Sequence, residues 1–237
     1  MLSIVIPTLN EEKYLPGLLA SLARQQDVPF EIIVADAGSN DRTSALAARS
    51  GARIVAGGMP GAGRNRGAAA AEGDLLLFLD ADVILSDDHF LKDVLVEFHR
   101  RDLDIATCEI EPLSDERIDR LMHWVYNQYT RSLVRLVPHV PGFFILITRK
   151  LHERIKGFDE TIRYAEDQDY AIRAARHGSF GFLQSRRIAV SVRRFERDGR
   201  FGVAAKNVLA EVHMRTLGPI RSDILRYRFG YDQEDAR

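Results

Sequence analysis

Asp80 and Asp82 have the clearest potential for chemistry in this sequence, since they lie one residue apart directly after the apolar run Leu75–Leu79. Two carboxylates at the end of a buried strand are costly unless water or a cation compensates their charge. A divalent metal with a diphosphate suits such a pair, because hard cations take one or two carboxylates together with phosphate oxygens and water. The structural alternative is a helix cap, which the acidic cluster at Ser86–Asp88 can supply instead. The pair therefore predicts a metal–diphosphate site.

Two further polar loops follow predicted strands. The first strand, Ile4–Ile6, is followed by a cluster consisting of Pro7, Thr8, Asn10 and Glu11. Asn10 can also cap the helix that comes next. The second strand, Ile32–Val34, leads to Asp36, whose carboxylate can accept hydrogen bonds from a base or ribose. The structural alternative for Asp36 is a turn residue that positions the following helix.

A glycine-containing segment, Gly61–Gly67, surrounds Arg64 after the third predicted strand. Its spacing differs from the G-x-G-x-x-G fingerprint, and dinucleotide folds carry that fingerprint after the first strand. Backbone N–H groups and a guanidinium at a helix start nevertheless suit an anion. A plain turn with a solvated arginine is the alternative.

Glu166 and Asp167 open a predicted helix in the second half of the chain. They could simply complement the helix dipole. A carboxylate near a diphosphate is also what an attacking hydroxyl needs as its general base. Arg193 and Arg194 follow the last predicted strand and could supply positive charge to a departing diphosphate; a solvated basic face is the alternative.

The elements that must position these residues alternate between strand and helix in the first half of the chain. This βαβαβ order predicts a mostly parallel, doubly wound sheet, which binds ligands at the carboxyl ends of its strands. In the second half, Asp115–Leu136 predicts a long helix with apolar residues on one side. We find no internal repeat or linker, so one continuous domain is the simpler interpretation.

Composition excludes several function classes. The chain has 237 residues, a formal net charge of −1 and one cysteine, Cys108. The charge argues against a nucleic-acid partner, and a single cysteine excludes an internal disulfide. Cys108 lies in an apolar run and is interpreted as a buried small side chain. No apolar run approaches the ~18 residues of a membrane span, so a cytoplasmic protein is expected.

Taken in order along the chain, these motifs resemble glycosyltransferase family 2, the inverting enzymes of GT-A fold. The matching segments are residues 3–11, 34–43, 62–67, 79–83, 157–159 and 166–167. The resemblance implies a Rossmann-like, mostly parallel central sheet flanked by helices in a single domain over residues 1–237. It further implies a nucleotide-binding half over about 1–111, an acceptor-side half over about 112–200 and a helical tail over 201–237.

The resemblance also implies roles for individual residues. Asp167 would be the general base, and Asp82 would hold Mn²⁺ or Mg²⁺. The donor, with UDP-sugars favoured over GDP-sugars, would contact a set of residues consisting of Pro7, Thr8, Asn10, Glu11, Asp36, Arg64, Asp80, Arg193 and Arg194. The acceptor would be a hydroxyl of an unknown saccharide, lipid-linked molecule or small molecule.

Two departures from the family pattern bear on this prediction. Ala37 stands where many members have a second acid, and Ser191–Arg194 stands where many carry a histidine that binds the metal. The diphosphate would then be held more by arginine than by metal. The alternatives are a non-catalytic sugar-nucleotide-binding protein and a nucleotidyltransferase.

Membrane contact is a separate question. Arginines on the long helix allow weak peripheral association with the inner face of a membrane, with a solvated helix face as the alternative.

Overall fold

A computed structural model describes residues 1–133, 140–222 and 229 of the chain. Within these residues eight strands form one sheet: β1 (Leu2–Thr8), β2 (Phe30–Asp36), β3 (Arg53–Ala56), β4 (Leu75–Leu79), β5 (Val83–Leu85), β6 (Ile105–Pro112), β7 (Phe144–Thr148) and β8 (Phe180–Val190). The helices of the same part of the chain are α1 (Leu15–Ala23), α2 (Thr43–Arg49), α3 (Pro60–Ala70), α4 (Phe90–Arg100), α5 (Arg117–Leu133), α6 (Arg149–Arg154), α7 (Glu166–Ala175), α8 (Arg193–Asp198) and α9 (Arg200–Thr216).

The sheet has the strand order β3-β2-β1-β4-β7-β6-β8-β5. β1 pairs in parallel with β2 and β4, β2 with β3, and β6 with β8. β7 is antiparallel to both β4 and β6, and β5 is antiparallel to β8. The prediction of a mostly parallel α/β sheet flanked by helices is confirmed. One edge of the sheet therefore collects the carboxyl ends of β1, β2, β4, β6 and β8 together with the amino end of β7.

Apolar side chains bury both faces of the sheet. Every residue of β1 is buried, as a strand covered on two sides requires. One core cluster contains four leucines of α1, Leu15, Leu18, Leu19 and Leu22, together with apolar residues of α4. The other contains Ala68 of α3 and Tyr170 of α7. Cys108 is buried, as predicted, and burial raises the pKa of its thiol.

Asn10 does not cap the first helix, which is a correction to the sequence interpretation. α1 begins only at Leu15, and Asn10 has a left-handed backbone with φ 55°. Its Oδ1 accepts a hydrogen bond from the Asn40 backbone N–H at 2.9 Å. The side chain therefore joins the loops after β1 and β2 instead of closing a helix end.

The apolar side of α5 points to solvent. Ile118, Leu121 and Val125 are exposed, whereas Asp119 and Asn127 are buried. Asn127 accepts from the backbone N–H of Ile110 and donates to its carbonyl, so the polar face of the helix is anchored on β6. Leu136, which we predicted to end this helix, lies outside the described residues.

None of the helices in the described residues is long and apolar enough to cross a membrane.

Candidate active site

The predicted polar residues meet because of the sheet topology. Thr8 and Asp36 end parallel neighbours β1 and β2, and Asp80 directly follows β4, the other neighbour of β1. α7 begins at the same edge, since the Gly142 backbone N–H, close to the amino end of β7, donates to Asp167 Oδ2 at 2.7 Å. Residues far apart in the sequence therefore form one cluster.

Arg193 joins the two acids that follow β1 and β4. Its Nη1 and Nη2 donate to the two oxygens of Glu11 at 2.6 and 2.9 Å, and its Nε lies 2.8 Å from Asp82 Oδ2. The guanidinium also lies over the ring of Tyr14, 4.4 Å from its centroid. With 11% of its side chain exposed, Arg193 is a largely covered cation that contacts two carboxylates and an aromatic ring.

Burial increases the proton affinity of Glu11 and Asp82, the two acids that Arg193 bridges. Burial raises the pKa of Glu11 to about 7, even though hydrogen bonds and the charge of Arg193 oppose the shift. Burial likewise raises the pKa of Asp82, against the positive charges of Arg193 and Arg194. Desolvation is thus the larger effect for both carboxylates.

Arg64 forms a second bridge of the same kind. Its Nη2 donates to Asp80 Oδ1 and its Nη1 to Glu166 Oε1, both at 2.8 Å, and 3% of its side chain is exposed. Burial alone would lower the pKa of Arg64, but the carboxylates of Asp80, Glu166 and Asp167 raise it overall. Arg64 is therefore a permanent positive charge beside Asp167.

Asp167 is held in one orientation by backbone donors. Besides the contact of Oδ2 with Gly142, its Oδ1 accepts from the Gln168 N–H at 2.8 Å. Burial raises the pKa of Asp167, whereas Arg64 and the Gly142 N–H act in the opposite direction. The result is an oriented carboxylate with increased affinity for a proton, at the N-terminus of α7 on the edge of the sheet where these residues meet.

Asp36 is occupied by its own loop. It accepts from Thr8 Oγ1 at 3.0 Å, from both the N–H and the hydroxyl of Ser39, and from Ser44 Oγ at 3.0 Å. Burial would raise its pKa, but these hydrogen bonds lower it overall, so the carboxylate is ionised. The contacts match the structural alternative, a residue that orders the turn after β2, and they place its charge at the rim of the cluster.

Pro7 and Arg194 occupy different positions relative to this cluster. Pro7 is buried within β1, and its Cβ faces Gly63 of α3. Arg194 is near enough to Asp82 for its charge to lower the pKa of that acid. The structure therefore brings Arg194 to the acids and keeps Pro7 in the packing beneath them.

Three residues beside the predicted ones escaped the sequence interpretation. Tyr14 and Phe158 lie against the guanidinium groups of Arg193 and Arg64, respectively. Gly142 has no room for a side chain, since an added Cβ would lie 2.6 Å from Arg64 Nη2 and 3.3 Å from Asp167 Oδ2. Tyr14 carries no local signal, whereas Phe158 lies in the matching segment 157–159 but was given no role there. The adjacent Pro141–Gly142 pair could have indicated a special backbone position at this point of the chain.

The side chains around Asp82 do not form an open metal site. Oδ2 of Asp82 is paired with Arg193, and Oδ1 of Asp80 is paired with Arg64. In the part of the chain that the structure describes, no three His, Cys, Asp or Glu side chains are grouped as metal ligands. A divalent ion at Asp82 would have to displace or approach a buried guanidinium of like charge, so the residues present do not fit the predicted ion as they are arranged.

Comparison with known proteins gives relatives that are glycosyltransferases. The sequence profile described as "Glycosyl transferase family 2" matches residues 3–156. The 4,4'-diaponeurosporenoate glycosyltransferase of Staphylococcus haemolyticus is 38% identical over 109 residues, 42% of this chain and 29% of that protein. The poly(ribitol-phosphate) beta-N-acetylglucosaminyltransferase TarS of Staphylococcus aureus is 28% identical over 200 residues, 79% of this chain and 33% of that protein. The matched region is thus about a third of the length of these relatives.

Solved structures share the fold. TarS 1–349 of S. aureus in complex with UDP-GlcNAc has a TM-score of 0.66 and 24% identity, covering 92% of this chain and 67% of that one. The mannosyltransferase PcManGT from Pyrobaculum calidifontis, in complex with GDP-Man and Mn²⁺, has a TM-score of 0.69 and 19% identity, covering 89% and 61%. The predicted GT-A fold is therefore confirmed. Since the family profile also covers more than half of the sequence, the chain belongs to glycosyl transferase family 2.

Proposed function

We propose that the chain transfers a sugar from a nucleotide-diphosphate donor to an acceptor hydroxyl, with inversion at the anomeric carbon and Asp167 as the general base. The observation that carries this proposal is the environment of Asp167. Its carboxylate is oriented by the Gly142 N–H at 2.7 Å, lies beside Arg64, and has a raised pKa because of burial. A base whose pKa is moved toward neutrality is suited to accept a proton from a hydroxyl.

The reaction is a single displacement. The acceptor oxygen forms a bond to the anomeric carbon while the bond from that carbon to the diphosphate oxygen breaks. The hydroxyl proton passes to Asp167, and the nucleoside diphosphate leaves with the bonding electron pair. Attack opposite the leaving group inverts the configuration, and no covalent intermediate with the protein is required.

Donor binding is assigned to the two arginine bridges and the loops after β1 and β2. Thr8 donates a hydrogen bond to Asp36, and Asn10 is bonded to Ser39 and Asn40, so these residues order the two loops and their part is to shape the nucleotide site. Arg64, Arg193 and Arg194 provide the positive charges for the diphosphate, near Asp80 and Asp82. The predicted Mn²⁺ or Mg²⁺ at Asp82 stays a prediction, and no step here depends on it.

UDP-sugars are the favoured donors and GDP-sugars come next. TarS has been solved with UDP-GlcNAc and PcManGT with GDP-Man, and both share the fold of this chain. A screen of thermal stability with UDP, GDP, CDP and ADP, each with and without Mn²⁺, identifies the nucleobase of the donor. A ligand that binds only the folded state raises the free energy of unfolding by roughly 2.7 kcal/mol at a hundredfold excess over its dissociation constant.

The base assignment is tested by Asp167→Asn, with Asp169→Asn as the matched control on the same helix. Asp169 pairs with Arg173, so its substitution leaves the cluster intact. We expect Asp167→Asn to lower transfer about 10²- to 10⁴-fold, measured as UDP release from UDP-sugars in the presence of an acceptor panel. Nucleotide binding, measured by calorimetry, should be unchanged in both variants.

Transfer at the wild-type rate by Asp167→Asn would disprove the base assignment. Two other results would replace the proposed function altogether. Binding of nucleotide sugars without turnover by any acceptor would indicate a sugar-nucleotide-binding protein. Release of pyrophosphate from a nucleoside triphosphate and a sugar phosphate would indicate a nucleotidyltransferase.

We also propose that the protein associates peripherally with an anionic membrane surface through α5. The outward face of this helix carries Leu121, Trp124 and Val125, which are 53%, 59% and 52% exposed. Arg117 and Arg120 are exposed on the same helix, while Asp119, the acid that lies between them, is buried and bonded to Arg200. Apolar side chains with a tryptophan, flanked by arginines, suit the interface of an anionic bilayer.

A further inference from the structure

We propose that Arg193 supplies the positive charge that the family resemblance assigns to a metal ion at Asp82, so that the donor diphosphate is bound without a divalent metal. The inference deepens the proposed function and rests on it. It assigns one residue of α8 as the main cationic contact of the leaving diphosphate.

The guanidinium of Arg193 lies where the ion would have to bind. Nε of Arg193 lies 2.8 Å from Asp82 Oδ2, the carboxylate that would have to bind the ion. The same group makes two hydrogen bonds to Glu11, at 2.6 and 2.9 Å. A fixed cation therefore already lies at the junction of the loops after β1 and β4, where a diphosphate-bound ion would be expected.

The side chains around Asp82 suit a phosphate better than a divalent ion. A divalent ion prefers carboxylate, phosphate and water oxygens or an imidazole nitrogen. The segment after β8, Ser191–Arg194, contains two arginines and no histidine. Around Asp82 the acids Glu11 and Asp80 are already paired with Arg193 and Arg64, whose guanidinium groups repel a divalent ion and bind phosphate through paired N–H donors.

Neighbouring groups hold the side chain of Arg193 in place. The ring of Tyr14 supports the guanidinium from one side, with a distance of 4.4 Å to the ring centroid. The short helix α8 begins at Arg193 itself, directly after the turn that follows β8. In that turn the Ser191 N–H donates to the backbone carbonyl of Asp82 at 3.0 Å. Arg193 is thus positioned by its neighbours before any ligand arrives, as electrostatic stabilisation of a leaving group requires.

The experiment measures the affinity of the full chain for UDP and GDP by calorimetry, in EDTA and in Mn²⁺. The proteins are the wild type, Arg193→His and the control Arg197→His. Arg197 lies on the same helix and pairs with Asp198. The histidine variant replaces the guanidinium with a potential metal ligand beside Asp82.

We expect the wild type to bind the preferred nucleotide equally well in EDTA and in Mn²⁺. Arg193→His should lose about tenfold to a hundredfold in affinity in EDTA, the effect of removing a charge-assisted hydrogen bond, and should regain part of it with Mn²⁺. Arg197→His should behave as the wild type does.

A wild-type affinity that falls about tenfold in EDTA and returns with Mn²⁺ would overturn the inference while leaving the proposed function in place. Equal affinities of Arg193→His and the wild type in EDTA would also overturn it. Absence of UDP and GDP binding under both conditions, together with no stabilisation by any nucleotide in the thermal screen, would instead remove the proposed function, and this inference with it. The comparison of wild-type affinity in EDTA and in Mn²⁺ needs no substitution. It therefore decides whether nucleotide binding requires the metal even if Arg193→His does not fold.

Discussion

At the scale of single residues, His152 is a buried titratable side chain outside the site. Its Nδ1 lies 2.7 Å from the hydroxyl of Tyr170, and the ring packs near Phe78. Burial, together with the charges of Arg149 and Arg173, lowers the pKa of His152 from 6.5 to about 4. The folded protein therefore keeps this imidazole neutral at a pH at which the unfolded chain protonates it.

This lowered pKa predicts a pH-dependent contribution to stability. The unfolded state binds more protons at this residue between pH 6.5 and about 4, so its contribution is complete above pH 6.5 and is lost as the pH falls toward 4. Glu11 acts in the opposite direction, since its pKa is raised from 4.5 to about 7. The test must therefore compare two proteins that both contain Glu11.

We expect urea unfolding of the wild type and His152→Gln to separate the two effects. The stability difference, wild type minus variant, should fall by roughly 3 kcal/mol between about pH 7 and pH 4. Near-neutral pH provides the control, because there the difference measures packing alone. A difference that stays constant over this range would contradict the lowered pKa.

At the scale of elements, α3 packs closely on β1 because Gly67 has no side chain. A Cβ at this position would overlap Cγ1 of Val5, which is fully buried in β1. The helix also carries Arg64 and, through Asn65, contacts the backbone of Phe158 at 2.8 and 2.9 Å. The distance between α3 and the sheet thus sets the position of Arg64 relative to Asp80.

Gly67→Ala is expected to lower the free energy of unfolding by about 1–3 kcal/mol, because the added methyl group overfills a packed contact. Gly202→Ala in α9 is the matched control, since nothing lies within 4 Å of a Cβ added there. In that helix alanine should raise stability by about 0.5–1 kcal/mol. Chemical denaturation measures both values, and equal effects of the two substitutions would disprove the close-packing argument.

At the scale of the whole molecule, the proposed membrane association can be measured through one side chain of α5, Trp124. Trp124 is the single tryptophan of the chain and lies on the exposed face of the helix. We expect its fluorescence to shift to shorter wavelength, and the protein to co-sediment, with phosphatidylglycerol-containing vesicles at low salt. Added salt should weaken the binding, because it screens the attraction between the arginines and anionic lipid.

Leu121→Ser should weaken this co-sedimentation, whereas Val96→Ser, an equally apolar and exposed position on α4, should leave it unchanged. Failure of the wild type to sediment with the vesicles would disprove membrane association. A concentration-dependent blue shift without vesicles would assign the face of α5 to a second copy of the chain.

The location of the site could be predicted because its signals are local. Asp80 and Asp82 follow an apolar strand, and Asp36 follows another, so parallel pairing brings them to one edge. The pairing among charges could not be predicted, because Arg193 and Glu11 are 182 residues apart. The orientation of α5 could not be predicted from the sequence either, because the hydrogen bonds of buried Asn127 and Asp119 decide which face of the helix is covered.

The sequence by itself determined the family, the parallel core of the sheet and the edge at which polar residues gather. These properties follow from apolar runs, turn residues and the order of strands and helices, each of which acts over short distances along the chain. Only the tertiary structure decided that guanidinium groups, rather than an open coordination site, lie against Asp80 and Asp82. Burial and charge pairing depend on which side chains meet in three dimensions, and those contacts also decide the pKa of Glu11, Asp82 and Asp167.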